Sequence, residues 1–472
     1  MDTNRKLEVD VAVIGAGTAG LAAYRAARSA GARAVIVEGG PHGTTCARVG
    51  CMPSKLLIAA AEAAHAIPKA AKFGVHVDSA VRVDGRAVME RVRGERDRFV
   101  GFVLEGVQAL PEADRIDGHA RFVDRHTLRV EGGPTIQARS IVVATGSRPS
   151  VAPMLRDLGD RLVVNDDVFS WDTLPRSVAV FGPGVIGLEL GQALARLGVR
   201  VVVLGRGGRL GPITDPFVHK AAAAAFAAEF HLDPDAHVTR VERVGEEVEI
   251  DYHDADGSVR TGRFDYVLAA TGRAPNVDKL DLVNAGLELD RRGVPVIDVT
   301  TLQAGDSPIF IAGDAANYAP LLHEAADEGR IAGHNAARFP HVAQGLRRAQ
   351  LGIVFTDPQI AIVGGGYAHL KAHSLSAGEV SFEDQGRSRV MLRNRGLLRV
   401  YGSPEDGRFV GAEMVGPDAE HIGHLLAWAL QSRLSVAEML DMPFYHPVVE
   451  EGLRTALRQL DAHIRTSQQK AA

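Results

Sequence analysis

The feature that most constrains the fold is a glycine pattern that occurs twice. An apolar segment, Val9-Asp-Val-Ala-Val-Ile14, runs straight into Gly15-Ala-Gly17-Thr-Ala-Gly20 and then an alanine-rich stretch reaching Ser29. Further on, Ser177-Val-Ala-Val-Phe181 runs into Gly182-Pro-Gly184-Val-Ile-Gly187 and a helical stretch closing at Leu197-Gly198. Gly15, Gly17, Gly20 and Gly31 map onto Gly182, Gly184, Gly187 and Gly198 at one constant offset. Each unit continues into a second apolar strand, Ala34-Val-Ile-Val37 ending at Glu38, and Val201-Val-Val-Leu204. G-x-G-x-x-G is a weak signal alone; between a strand and a helix, with an acid about 20 residues on, it marks a dinucleotide-binding turn. The glycines allow a tight turn, close backbone approach to a pyrophosphate and close helix packing, while the helix N-terminus attracts negative charge. Two such units make this an α/β chain with two Rossmann-like dinucleotide-binding domains.

A second echo follows each unit. Ile141-Val-Val-Ala-Thr145-Gly146-Ser-Arg-Pro149 and Val267-Leu-Ala-Ala-Thr-Gly272-Arg-Ala-Pro275 both read as an apolar strand ending in a turn punctuated by glycine and proline. From Lys55 to about Leu110 the chain reads as largely helical, with Val88, Val92, Phe99, Val103, Val107 and Leu110 near one face at core-forming spacing. Beyond Leu346, short strands around Ile353, Ile360 and Leu398-Arg-Val400 precede helices expected over 418–432 and 447–460, an order that fits an α+β domain. The tail 466–472 is polar and is expected to fray. At ~150 residues per domain, the 472 residues allow about three cores.

Fifty-three Lys plus Arg against 58 Asp plus Glu leave a formal charge of −5, which offers no diffuse basic field for a nucleic-acid backbone. The first ten residues hold no apolar secretory core, and charges or clustered glycines interrupt every hydrophobic stretch before it reaches spanning length. The expectation is a soluble, cytoplasmic protein with neither a membrane nor a nucleic-acid partner. Its only cysteines, Cys46 and Cys51, are near neighbours, followed by Met52-Pro-Ser-Lys55 and the helix-forming run Leu56 to Ala60. They are open to two readings: a stabilising crosslink or buried thiols, and a redox pair. Closing so short a loop removes little chain entropy, and a chain with a sizeable core needs no staple. A thiol near a helix N-terminus has its thiolate favoured by the dipole, which supports the redox reading, as do two dinucleotide sites in one chain.

Gly43-Thr-Thr-Cys46-Ala-Arg-Val-Gly-Cys51-Met-Pro-Ser-Lys55 resembles the G-G-T-C-x-x-x-G-C-x-P-S-K of the class I pyridine nucleotide-disulfide oxidoreductases, the flavoprotein family of dihydrolipoamide dehydrogenase, glutathione reductase and mercuric reductase. The resemblance covers nearly the whole chain. Ile309-Phe-Ile-Ala-Gly313-Asp314 is similar to the second flavin fingerprint, Phe355-Thr-Asp-Pro-Gln359 to the interface domain's F-T-x-P-E, and His446-Pro-Val-Val-Glu-Glu451 to the dimer-completing H-P-T-x-x-E. It implies an FAD-binding domain over 1–150 with a redox-active disulfide and an NAD(P)-binding domain over 151–275. A segment over 276–346 would complete the FAD site, and 347–472 would form an α+β dimerisation domain. It assigns Gly15, Gly17, Gly20, Glu38, Thr45, Lys55, Thr145, Gly146, Gly313 and Asp314 to FAD, and Gly182, Gly184, Gly187 and Gly272 to the nicotinamide nucleotide. Cys51 is the implied thiol facing the flavin and Cys46 the interchange thiol. Lys55 pairs with Glu189 near the flavin, and His446, oriented by Glu451, is the general acid/base of the partner subunit's site in a homodimer. His323 is expected to be structural, and no metal site is implied.

The internal repeat bears on the choice of nucleotide. Glu38 maps onto Gly205, so the acid that would bind a free ribose 2′-hydroxyl is missing from the second site, while Arg206 and Arg209 flank the gap. These arginines are either solvated loop charges or partners of a 2′-phosphate, and the expectation leans to NADP(H) or dual use. Pro-Ser-Lys after the second cysteine is closer to dihydrolipoamide dehydrogenase or mercuric reductase than to glutathione reductase. No further cysteine supplies the additional C-terminal pair of mercuric reductase or the C-terminal redox pair of large thioredoxin reductases. Phe444-Tyr445-His446, where lipoamide enzymes read H-A-H, and Thr44 in place of Gly depart from that pattern. The leading expectation is electron transfer between NAD(P)(H), FAD, the Cys46–Cys51 pair and a small or lipoyl dithiol/disulfide. The alternatives are an NADPH-dependent reductase of another disulfide or quinone-like acceptor, and a flavin redox sensor without turnover.

Overall fold

The computed structural model describes residues 6–78, 81–253 and 257–471, so the first five residues and Ala472 lie outside the described residues. The chain divides into two compact units, each gathered from three segments.

The first unit comprises Met1–Pro53, Arg91–Ser150 and Arg273–Arg347. Strand β1 (Lys6–Ile14) lies at its centre and pairs in parallel with β2 (Ala34–Glu38), Val11 opposite Ala34, and with the strand Thr135–Val143, Val11 opposite Ser140. Arg115–Asp117 extends the sheet beyond β2, and Ile309–Ile311 extends it beyond Ile141–Val143. Val11, Ala12 and Val13 are fully buried, so β1 reads as an unbroken apolar run, as a strand covered on both faces must. Helix α1 (Thr18–Ser29) is alanine-rich because another helix, Leu322–Arg338, crosses it closely. A β-carbon at Gly329 or Gly333 would stand 2.2 Å from the carbonyl oxygens of Ala19 and Ala23 respectively. The two sequence echoes meet as strands, Arg273 opposite Pro149 and Pro275 opposite Ser147.

The second unit comprises Ser54–Glu90, Val151–Gly272 and Arg348–Ala472. It repeats the parallel arrangement with Ser177–Phe181 between Arg200–Leu204 and Tyr266–Ala269, and His231–Asp233 outside Arg200–Leu204. An antiparallel sheet of His237–Val244, Glu247–His253 and Val259–Phe264 follows. The terminal segment forms a five-stranded antiparallel sheet, with helices Ala419–Gln431 and Glu451–Ala471 contributing to its core. Leu457 and Leu460 are fully buried there, each worth about 2 kcal/mol of apolar burial.

Two expectations need correction. The helix expected over 447–460 begins at Glu451, because the carboxylate of Glu451 accepts the Val448 N–H and holds 447–450 as a turn. The described tail does not fray: the helix continues through Lys470, with Gln468 Nε2 donating to the Pro404 carbonyl. The stretch from Lys55 to Leu110 is largely helical as expected, in two helices, α3 (Cys51–Ala70) and another over Gly85–Gln108, with Gly74 at φ 78° between them.

Candidate active site

In the first unit, β1 delivers the chain into a turn that only glycine can make. Gly15 has φ 104°, and a β-carbon there would stand 2.4 Å from the Ala144 carbonyl oxygen. At Gly20 it would stand 1.8 Å from the Gly15 oxygen, whereas at Gly17 it would meet nothing within 4 Å. The space over Gly17 is therefore open just where α1 begins, and no side chain caps the first amides of that helix. Glu38 closes the far side, with Oε2 accepting the Ala16 N–H at 2.7 Å and Oε1 the Gly40 N–H at 2.8 Å. Asp314 accepts the Ser147 hydroxyl at 2.5 Å. Thr145 Oγ1 is buried beside Gly146 with no hydrogen-bond partner among the described residues, a polar atom that a ligand can satisfy. An open glycine turn, an acid at the end of β2, a second acid at Asp314 and an orphaned hydroxyl fit FAD.

The side-chain pairing behind this cradle went unmarked in the sequence. The fully buried Glu328 accepts the Gly313 N–H at 2.7 Å, and Arg347 bridges it to the buried Glu324 at 2.9 and 3.0 Å. Burial pushes the Glu328 carboxyl up against the opposing pull of Arg347. His323 is exposed at the start of the same helix.

The thiols sit at the starts of two consecutive helices, one short and one long. Thr44 takes φ 59° where a glycine is the easier residue, and its Oγ1 accepts the Ala47 N–H at 3.3 Å, capping α2 (Thr45–Val49). Gly50 folds back over that turn; a β-carbon on it would lie 3.2 Å from Cys46 Cα. Helix α3 then opens on Cys51, which is exposed, while Cys46 is half-buried. The dipole of a 20-residue helix favours a thiolate at its first residue.

The second unit brings together the remaining expected pairs. Lys55 Nζ lies 2.7 Å from Glu189 Oε2 and 4.6 Å from the centre of the Phe355 ring, and Glu189 Oε1 accepts the Phe355 N–H at 2.9 Å. Glu189 is 5% exposed, so its charge is held by specific partners rather than by water. His446 Nδ1 lies 3.0 and 3.1 Å from the two Glu451 oxygens. The hydrogen bond with His446, and then that with the Val448 N–H, hold the Glu451 carboxyl below its ordinary range. The imidazole is 80% exposed, and Glu451 orients it through Nδ1 and leaves Nε2 open.

The second glycine turn copies the first: Gly182 at φ 105° lies under Ala270, Gly187 over Gly182, and Gly184 faces open space. Gly272, at φ 113°, has nothing near it. Arg206 and Arg209 are exposed on the loop after Arg200–Leu204. A separate cleft of about 490 Å³, lined by His65, Lys69, Arg196, Glu229, Asp357 and Arg393 among others, contains none of the expected site residues. Among the described residues no group of three or more His, Cys, Asp or Glu could hold a metal ion, and no helix is long and apolar enough to cross a membrane.

A family model described as pyridine nucleotide-disulphide oxidoreductase matches residues 9–329, and the dimerisation domain of the same family matches 351–457. The chain is 32% identical over 464 residues to the dihydrolipoyl dehydrogenase of Haloferax volcanii, covering 95% of both chains. It is 31% identical over 465 residues to the mercuric reductase of Acidithiobacillus ferrooxidans, covering 96% of this chain and 83% of that one. The fold is similar to that of the HOCl-induced flavoprotein disulfide reductase RclA from Escherichia coli, solved as its Cu(II) complex. The TM-score is 0.80 at 23% identity, over 96% of this chain and 99% of the other.

Proposed function

The chain belongs to the pyridine nucleotide-disulphide oxidoreductases, FAD-dependent enzymes that use NAD(P), and from that membership we propose that it passes electrons between NAD(P)(H) and a small or lipoyl dithiol/disulfide through a Cys46–Cys51 redox pair, as a dihydrolipoamide dehydrogenase does. One observation carries the reading: both cysteines of the sequence stand at the starts of two consecutive helices, Cys51 on the helix whose dipole stabilises its thiolate.

The Gly15–Gly20 turn, Glu38, Thr145 and Asp314 are the residues that would hold FAD, which when bound would supply the two-electron link between dithiol and nicotinamide. A substrate dithiol gives up two electrons and two protons as its own S–S bond forms and the Cys46–Cys51 bond breaks. Cys46 is the thiol that exchanges with substrate and Cys51 the one nearer the flavin. That exchange needs a base while the attacking thiolate forms and an acid when the leaving thiolate departs. His446 fills both roles, Glu451 fixing Nδ1 so that Nε2 faces the reaction in the partner subunit of a homodimer. The Lys55–Glu189 pair would be the one the family resemblance assigns to the flavin's surroundings. The second glycine turn would hold the nicotinamide nucleotide, with Arg206 and Arg209 the exposed cations available to its adenosine end.

Anaerobic reductive titration tests the reading. The wild-type holoenzyme is expected to take up two electrons per FAD beyond those the flavin accepts, and Cys46→Ser to lose that second pair. Uptake by the flavin alone in the wild type overturns the reading. The departures from the lipoamide pattern at Thr44 and Phe444-Tyr445 leave a second reading, in which the acceptor is another disulfide or a quinone-like molecule. Lipoamide and glutathione disulfide, each assayed with both nucleotides, separate the two.

A further inference from the structure

The two glycine turns are closed by carboxylates of different origin. In the first, one side chain does all the work, since Glu38 accepts the amides of both Ala16 and Gly40. The sequence offset carries Glu38 onto Gly205, Ala16 onto Pro183 and Gly40 onto Gly207. Pro183 has no N–H to offer. A β-carbon at 205 would stand 2.3 Å from the Pro234 oxygen and 2.8 Å from Pro183 Cγ, so no acid can occupy that position. The Gly207 amide remains, and a carboxylate takes it: Asp235 Oδ1 accepts it at 2.6 Å.

Asp235 reaches the turn from the neighbouring strand. His231–Asp233 runs parallel to Arg200–Leu204 with Asp233 opposite Leu204, so both strands end at the same edge. The Asp235 N–H donates to Asp233 Oδ1 at 2.9 Å, which fixes the approach. The side chain is exposed, and its Oδ2 takes no hydrogen bond among the described residues. Two more amides of the turn are already paired: the Gly205 N–H donates to the Asp233 carbonyl at 2.7 Å and the Gly208 N–H to the Pro234 carbonyl at 3.1 Å. A phosphate seeking a nest of backbone amides at this turn meets a carboxylate instead.

We propose that Asp235 supplies from the adjacent strand the carboxylate missing at Gly205, accepts the adenosine ribose hydroxyls of the nicotinamide nucleotide, and makes NADH the preferred partner over NADPH. This rests on the reading that the second glycine turn holds the nicotinamide nucleotide. It reverses the leaning drawn from the sequence. Arg206 and Arg209 still attract a 2′-phosphate, but they do so against the charge of Asp235, so NADPH is the poorer substrate rather than an excluded one.

Asp235→Asn separates the charge from the brace, because an amide oxygen can still accept the Gly207 N–H. Steady-state reduction of lipoamide or a dye by the holoenzyme gives kcat/KM for NADH and NADPH, and calorimetric titration with NAD+ and NADP+ gives equilibrium binding. The wild type is expected to favour NADH. In the variant kcat/KM for NADH falls about 10- to 50-fold, the range of a lost hydrogen bond to a charged group, while NADPH improves severalfold and the NAD+ and NADP+ affinities follow. Equal weakening of both nucleotides makes Asp235 a brace only and overturns the proposal, as does an unchanged NADH value. A wild-type flavin reduced by neither nucleotide strikes the parent reading instead.

Discussion

At the scale of single residues the two turns separate glycines needed for the fold from glycines needed for the ligand. At Gly20 and Gly187 a β-carbon would stand within 2 Å of a backbone oxygen of the same turn, so even alanine disrupts the chain. At Gly17 and Gly184 it meets nothing within 4 Å, and neither residue has positive φ. Gly17→Ala is therefore expected to fold within about 0.5 kcal/mol of the wild type and yet bind FAD at least roughly tenfold more weakly, because the new methyl stands where a pyrophosphate must approach. Gly184→Ala leaves the flavin bound and raises KM for the nucleotide. The ratio of flavin to protein absorbance after gel filtration, with melting curves, checks the first, and nucleotide kinetics the second. Full flavin retention in Gly17→Ala means the open space is not the cofactor's. Cys46, Cys51 and these glycines were legible in the sequence because their chemistry is local. Asp235, 28 residues from the amide it caps, carried no such mark, and the 134-residue link from Lys55 to Glu189 entered only through family resemblance.

At the scale of elements, what could be read was whatever repeats with the period of a helix or strand. The strands beside each glycine turn and the helix after it were legible, because apolar runs bounded by glycines leave few alternatives. The strands Ser376–Ser381 and Phe409–Gly416 were not anticipated, and each carries glycines or polar residues that blur the alternation. The long terminal helix starts late because one carboxylate, Glu451, bonds both His446 and the turn before it, a choice no propensity encodes. Elements are also tied by charges at positions far apart in the chain. Arg196, 5% exposed on the helix Val185–Arg196, reaches Glu229 at 2.9 Å and Asp357 at 3.0 Å, and Lys69 of α3 reaches Asp357 at 3.4 Å. Burial alone pushes the Asp357 carboxyl up, but Arg196 and Lys69 outweigh it and hold it below its ordinary range. A folded-state pKa below the unfolded one adds stability that is fully present above the unfolded value, near pH 4, and is lost as pH falls through the folded value. The melting temperature of the wild type is expected to fall between pH 5 and pH 3 more steeply than that of Asp357→Asn, by an amount corresponding to about 1 kcal/mol. Parallel profiles would show that the cluster contributes nothing to acid stability.

At the scale of the whole molecule, the dimerisation domain matches residues 351–457, a range that includes His446 and Glu451. The imidazole of His446 is 80% exposed and oriented through Nδ1, and in the proposed homodimer it would serve as general acid/base for a substrate held at the other subunit's dithiol. Complementation between two inactive variants tests this directly. Cys46→Ser and His446→Gln each have two dead sites per homodimer. In a heterodimer of the two, one site combines the altered thiol with the altered imidazole, and the other combines intact Cys46 with intact His446. Random reassortment gives heterodimers as half of the population, each with one working site, so lipoamide turnover is expected to return to about a quarter of the wild-type value. A site completed within one chain leaves every heterodimer site with one lesion, and mixing then restores nothing. Separate tags on the two variants, with activity measured on the doubly tagged fraction, distinguish a failure to exchange subunits from a site that needs only one chain.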